Sequence, residues 1–437
     1  MVGMLMFPAL FVLIFLGFPV AFALLGTAFA FGIYTFGDAV FFQFTQKIED
    51  VASNYVLAAV PLFVFMGAML ERSGIAEQLF NAVHMWTRRL PGGLAIGTII
   101  MCVIFAASTG VIGATETVVG LLAIPAMMKR YYSHSLISGT ICAGGSLGTI
   151  IPPSLVVVIM GPIANVSIGD LMTGMIFPGL IMAALYIIYI LALCIINPAA
   201  GPASGPEPDE PPFWTKIIVT AKALVPPIIM VVAVLGAIIM GWAAPTEAAG
   251  IGVVGAIAMT VLYGRFTLTM FWEALQKTLL ITGMIMFILL AGSLFTGVFV
   301  GAGGMRFLRA TINAWDLSPW MLLLVFLLLI FIAGFFLEWV SILLIFLPLY
   351  IPFVTAVGFD PVWFCILVLI VIQTSYLTPP MAPAIFYLRG IAPREITLPQ
   401  MYAGVVPFIL LQLLTLGLVM RFPELALWLP QQLLGVR

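Results

Sequence analysis

The sequence predicts an all-α, polytopic membrane protein with an inverted repeat, two re-entrant helical hairpins and two unwound helices. Three observations carry that prediction. The chain of 437 residues is 63% hydrophobic and 8% charged. Apolar runs of about 20 residues, each enough to span ~30 Å of hydrocarbon, recur along most of the length. Finally, one unusual order of features occurs twice. An apolar run is interrupted at Ser108-Thr109-Gly110, Glu116 follows, and then comes Ser146-Leu147-Gly148-Thr149-Ile150-Ile151-Pro152-Pro153. In the second half the interruption is Ala333-Gly334, the carboxylate is Glu338, and Ser375-Tyr376-Leu377-Thr378-Pro379-Pro380 follows. Broken helices at matching places in two hydrophobic halves are the sequence sign of a secondary transporter.

Composition excludes several classes. A β-barrel would show short alternating segments. The net charge is −1 and no basic stripe exists, which argues against nucleic acid. Cys102, Cys142, Cys194 and Cys365 sit in apolar stretches without metal-ligand spacing and read as packing residues. His84 and His134 lie near basic residues at expected helix ends. No Walker motif or nucleophile–base pair occurs, so ATP-driven transport and intramembrane proteolysis lack their residues. Met1 to Leu16 has no positive n-region and reads as a retained helix.

Residues 1–53 hold two spans around the turn Gly17-Phe18-Pro19 and a polar-punctuated stretch from Asp38 to Asp50. Residues 54–163 hold a span (Tyr55–Leu70), a hairpin at about 94–129 and an unwound helix at about 133–163. One terminal helix occupies 164–197. The connector, 198–216, is rich in proline and carries Glu207, Asp209 and Glu210, too polar for a bilayer. The second half repeats the order. Residues 217–277 carry the turn Ala243-Ala244-Pro245 and a stretch, Phe266 to Lys277, whose Trp272, Leu275 and Leu279 oppose Glu273, Gln276 and Lys277. That pattern predicts a helix lying along the interface. Residues 278–388 hold a span (Leu279–Val300), a hairpin at about 319–350 and an unwound helix at about 360–388, and 389–437 form a terminal helix and tail. Trp86, Trp242, Trp315, Trp320 and Trp428 fall near span ends, as interfacial aromatics do.

Charge sets the orientation. Arg88-Arg89 precede the first broken element and Lys129-Arg130 follow it. A hairpin that enters and returns keeps all four on one side, which the positive-inside rule makes cytoplasmic. The second element has no Lys or Arg near its exit, as expected for entry from the opposite face. Following the chain places eleven of the 16 basic residues inside and both termini outside.

The chemistry concentrates at the interruptions. Glycine at a tip exposes carbonyls, and Ser108 and Thr109 add hydroxyl oxygens. Consecutive prolines force unwinding and free carbonyls beside the hydroxyls of Ser146, Thr149 and Ser154. Ser375, Thr378 and the carbonyls near Pro379 to Met381 do likewise opposite Gly334. Hard, neutral oxygens of this kind suit Na⁺, one site per repeat. Glu116, Glu247 and Glu338 lie in apolar surroundings, where a charge must be paired, protonated or wet. Glu116 and Glu338 share a place relative to the hairpins and are expected to brace the broken tips. Glu247 follows Pro245-Thr246 at a helix start, where a carboxylate caps.

At these residues the chain resembles the large membrane subunit of tripartite ATP-independent periplasmic (TRAP) transporters, DctM-like members of the ion transporter superfamily. The matching words are Pro61 to Gly67, Ala106 to Gly110, Gly145 to Ser154, Pro245-Thr246-Glu247-Ala248 and Thr378-Pro379-Pro380, spread over the whole chain. The resemblance implies an elevator-type transporter. A transport domain, made of 54–163 and 278–388, would slide against scaffold helices in 1–53 and 217–277. It implies Na⁺-coupled uptake of organic acids such as C4-dicarboxylates, 2-oxo acids or sialic acids across a bacterial inner membrane. The implied partners are a small four-helix membrane subunit and a periplasmic substrate-binding protein. Ser108 and Gly110 would join the first Na⁺ site with Ser146, Thr149 and Ser154. Gly334 would join the second with Ser375, Thr378 and Met381, and with no hydroxyl at that tip it would lean on backbone oxygens. The anion between the tips would meet Thr109, Thr115, Pro153, Thr374 and Pro380. The alternative is a standalone carboxylate/cation symporter or antiporter of related architecture.

Overall fold

The computed structural model describes residues 2–109, 112–203 and 211–435, and the backbone alone of residues 108, 109, 112 and 114. Gly110, the three connector carboxylates and Arg437 therefore lie outside the described residues. Among the described residues the fold is helical throughout, with no strand. The first half runs α1 (Met6–Phe15), α2 (Val20–Phe36), α3 (Ala39–Ala52), α4 (Ala59–Arg72), α5 (Ile75–Thr87), α6 (Gly93–Thr109), α7 (Ile112–Lys129), α8 (His134–Ser146), α9 (Leu155–Ala164), α10 (Ile168–Gly174) and α11 (Ile176–Ile196). The second runs α12 (Phe213–Ile239), α13 (Pro245–Leu262), α14 (Leu268–Gly301), α15 (Gly304–Trp315), α16 (Pro319–Ala333), α17 (Trp339–Ala356), α18 (Pro361–Leu377), α19 (Pro383–Ile391), α20 (Leu398–Arg421) and α21 (Glu424–Leu434). Among the described residues, 7 helical stretches are long and apolar enough to cross a membrane. Large apolar side chains stay exposed along them, such as Ile229 and Val232 on α12 and Leu410 on α20. Such an exterior suits lipid and not water.

Local chemistry explains where the broken helices begin and stop. The Ser133 hydroxyl caps α8 by accepting from Leu136 N, and the Asp360 carboxylate caps α18 by accepting from Val362 N at 2.7 Å and Trp363 N at 3.1 Å. Pro361 follows at the first helical position, where its missing N–H is harmless. Helix α18 then ends just before its proline pair, and α8 ends at Ser146, ahead of Pro152-Pro153. A 3₁₀ turn at Leu147–Thr149 and an irregular stretch to Ser154 separate α8 from α9, and residues 378–382 separate α18 from α19. The Pro-Pro peptide bonds at the two breaks, Pro152-Pro153 and Pro379-Pro380, are cis.

Packing ties the halves together reciprocally. Helix α4 packs on α13 and α2 packs on α14. The second member of each hairpin lies on the other half's broken helix: α7 on α19, and α17 on α9. Helices α8 and α20 cross at Gly139 and Gly404, where a Cβ on either would come within 2.2 Å of the facing backbone oxygen. Only glycine permits that approach.

Several elements depart from the sequence reading. The stretch 266–277, expected to lie along the interface, runs without interruption into the 34-residue α14. Its polar face is satisfied by ion pairs, Glu273 with Arg72 and Lys277 with Glu71. The helices α5 and α15, between span and hairpin in each half, were not expected. Helix α17 extends to Ala356 instead of about 350, and α19 reaches Ile391 instead of about 388. The expected tail includes the helix α21, which packs on α10.

Candidate transport site

The hairpin members are short. Helices α6, α7, α16 and α17 have 17, 18, 15 and 18 residues, or roughly 22 to 27 Å at 1.5 Å per residue. The members of each pair pack on one another. At the first tip, Ser108 and Thr109 end α6; their side chains and all of Gly110 lie outside the described residues. At the second, Gly334 follows α16 and touches the break of α18 directly: a Cβ there would lie 2.1 Å from Ser375 Oγ.

The first break is sealed, and its hydroxyls are hydrogen-bonded. Ser146, Thr149, Pro153 and Ser154 are all buried. The Ser146 hydroxyl donates to the Ala143 carbonyl at 2.8 Å, Thr149 to the Ser146 carbonyl at 2.9 Å, and Ser154 to the Thr149 carbonyl at 3.0 Å. Two glutamine side chains from the second half converge here. Gln373 Nε2 donates to Ser146 Oγ at 3.1 Å and Gln412 Nε2 to the same oxygen at 3.4 Å. A hydroxyl oxygen has two lone pairs, so Ser146 Oγ has none left, and the residue can serve a cation only through its carbonyl. Thr149 and Ser154 donate their hydroxyl protons to carbonyls of the break, which leaves the lone pairs pointing elsewhere.

The second break faces open space. Ser375 Oγ donates to the Ile372 carbonyl at 2.8 Å, and Thr378 Oγ1 to the Thr374 carbonyl at 2.7 Å. Pro379, Pro380 and Met381 are exposed. A cavity of about 650 Å³ lies against this break, lined by Gly334, Glu338, Ser375, Tyr376 and Met381. Helices α7 and α14 contribute Gly113, Thr117 and Lys277, and Glu71 of α4 completes the wall. Thr115 and Thr374 are buried and do not line it, nor do Pro153 and Pro380. Thr109 lies among the side chains outside the described residues.

The three carboxylates have three environments. Glu247 accepts from Ala244 N at 2.8 Å and caps α13 as its position predicts. Glu338 precedes α17 and stands exposed at the cavity, making no cap hydrogen bond. Glu116 lies inside α7 and is fully buried. Tyr376 of the second half lies beside it. The expectation that Glu116 and Glu338 hold equivalent positions fails, because one sits a turn inside its helix and the other just before its helix. Glu116 packs on α8 beside the first break: a Cβ on Gly145 would lie 1.9 Å from its Cγ.

Sequence reading missed Gln373, Gln412, Lys277 and Glu71. The glutamines had a signal, since a lone amide inside an apolar run is expensive to bury without a partner. The four cysteines are buried and free, and no cluster of three or more His, Cys, Asp or Glu that could hold a metal occurs among the described residues.

Two broken, hydroxyl-bearing helices from matching halves, packed around one cavity in a lipid-suited helical chain, define a secondary transporter. The chain matches the family model of the tripartite ATP-independent periplasmic transporter DctM component over residues 7–425, and it belongs to that family. It is a transporter permease subunit and not an enzyme. It is 30% identical to the C4-dicarboxylate TRAP transporter large permease protein DctM of Pseudomonas aeruginosa, over 89% of each chain. The sialic acid TRAP transporter large permease protein SiaM of Vibrio cholerae is 29% identical over 97% of each chain. The ectoine/5-hydroxyectoine permease protein UehC of Ruegeria pomeroyi is also 29% identical, again over 97% of each. Among solved structures, the fold is similar to the YdaH transporter of Alcanivorax borkumensis, with a TM-score of 0.63 at 16% identity over 92% of this chain and 97% of that one. Neisseria gonorrhoeae MtrF gives 0.59 at 11% identity, over 88% and 83%.

Proposed function

We propose that this chain is the large permease subunit of a Na⁺-coupled importer of an organic acid in a bacterial inner membrane. The acid, a C4-dicarboxylate, 2-oxo acid or similar carboxylate, is delivered by a periplasmic binding protein, and a small four-helix subunit completes the membrane complex. The observation that carries this reading is the pair of breaks. Each gathers hydroxyl and carbonyl oxygens among apolar helices, and a bilayer tolerates such irregular backbone only where protein buries it or a cavity lines it. The names of the relatives above support the substrate class and the partners.

In this mechanism the α6–α7 and α16–α17 hairpins enter from opposite faces and return. Na⁺ binds at each break and orders the adjoining tip, and the anion binds between the tips. The transport domain of 54–163 and 278–388, which is built around α6–α9 and α16–α19, then moves as an elevator against the scaffold helices of 1–53 and 217–277. Coupling requires Na⁺ to favour the closed, loaded body over the open one.

The test is uptake in proteoliposomes containing both partners. Ser108→Ala and Thr378→Ala should each weaken Na⁺ stimulation, and unchanged stimulation in both refutes the assigned sites. Uptake by this chain alone would point instead to a standalone symporter. The topology has its own check: cysteines replacing the exposed Arg89 and Lys129 should be labelled from the same side of the membrane.

A further inference from the structure

The second half of the chain reaches into the first break through one side chain. Gln373 lies in α18 behind the apolar run Ile366–Ile372 and is 1% exposed. Its Oε1 lies 3.3 Å from Thr149 Oγ1, and its Nε2 holds Ser146 Oγ at 3.1 Å. A threonine hydroxyl carries one proton. Two acceptors compete for this one: the Ser146 carbonyl at 2.9 Å and Gln373 Oε1 at 3.3 Å. With the proton on the Ser146 carbonyl, that oxygen is engaged within the break. Turned toward Gln373, the hydroxyl releases the carbonyl, and rotation about a single side-chain bond makes the exchange. A buried donor left without an acceptor is expensive. The amide oxygen therefore makes uncovering the Ser146 carbonyl cheap, because no donor is orphaned.

We propose that Gln373 is a positioning residue for the first cation site, contributed by the opposite half of the chain. It takes the Thr149 hydrogen bond when a cation takes the Ser146 carbonyl. The inference rests on the reading that the first break binds Na⁺. It adds that this site is built from both halves, and that its filling tightens a contact on α18 two residues from Ser375. The two breaks thereby fill cooperatively. Gln412 supplies an internal control. It donates to the same Ser146 oxygen at 3.4 Å and has no bond to Thr149.

The experiment is Na⁺-driven uptake by the full complex in proteoliposomes, titrated with Na⁺ at saturating substrate and with substrate at saturating Na⁺. Gln373→Met keeps length and packing but removes the amide. It should raise the Na⁺ half-saturation about three- to tenfold, flatten the Na⁺ curve, and leave the substrate half-saturation unchanged. Thr149→Val should do the same, and the double variant should be no worse than either single one. Gln412→Met leaves the Thr149–Gln373 pair in place and should shift the Na⁺ half-saturation less than Gln373→Met does. An unshifted Na⁺ titration in Gln373→Met overturns the proposal, as do losses that multiply in the double variant or an equal shift in Gln412→Met. If Gln373→Met does not assemble, Gln373→Glu, which keeps an acceptor oxygen at the same reach, should retain a Na⁺ half-saturation nearer wild type than Thr149→Val; the reverse order overturns the proposal. Absence of any Na⁺ dependence in the wild type is a different result, and it defeats the parent reading first.

Discussion

The two breaks share a motif and differ in everything around it. Ser146-x-x-Thr149 and Ser375-x-x-Thr378 both precede a proline pair, and every one of these hydroxyls donates to its own helix. Yet the first break is enclosed, with Gln373 and Gln412 pressed into it, while the second opens on the cavity beside Gly334. Two extra residues, Ile150 and Ile151, separate Thr149 from its prolines, and both are buried. They lengthen the first break and plug it with apolar surface. The second break has no such insert and faces a tip with no side chain. The motif supplies oxygens, and its surroundings decide whether water reaches them.

That contrast is open to direct attack. Its strongest consequence is in accessibility. Met381 is 45% exposed and Ser154 is 0% exposed, so in a cysteine-free background Met381→Cys should react rapidly with a small water-soluble thiol reagent and Ser154→Cys should stay protected. Equal labelling would erase the difference between the breaks. Next in size is a pair of glycine substitutions. Gly334→Val drives a side chain into Ser375 Oγ, 2.1 Å from the new Cβ, and should cut uptake more than tenfold while the protein still folds. Gly145→Ala meets Glu116 Cγ at 1.9 Å in a sealed interior. It should show as a lower midpoint in thermal unfolding, worth about 1–3 kcal/mol of overpacking. The smallest effects are at the other carboxylates. Glu247→Ala removes a cap and should lose about 1 kcal/mol in the same assay, whereas Glu338→Gln, exposed and without a cap bond, should stay within about 0.5 kcal/mol of wild type.

Much of this was legible in the chain because it is local. Proline pairs follow α8 and α18, Ser133 and Asp360 start them, and Pro245-Thr246-Glu247 announces a capped helix that the structure contains. The five tryptophans expected at span ends are all exposed. What stayed hidden is long-range. Gln373 meets Thr149 across 224 positions and Lys277 meets Glu71 across 206, and no local propensity encodes such a meeting. The continuity of 266–277 with α14 was hidden for the same reason. Its charged face looked as if it needed water, but Arg72 and Glu71 from the first half satisfy it. Glu116 and Glu338 matched in order along the chain, and only three-dimensional placement told a buried carboxylate from a wet one.

The mutual clasp of α7 on α19 and α17 on α9 carries a consequence for biogenesis. When the ribosome has finished the first 203 residues, α9 still lacks the helix that covers it, and α7 still lacks its seat. Neither half has a complete interior of its own, so the nascent amino-terminal portion must wait in the bilayer, unfinished, until residue 391 has been inserted. Severing the chain within the connector would yield two fragments that mature only in each other's company.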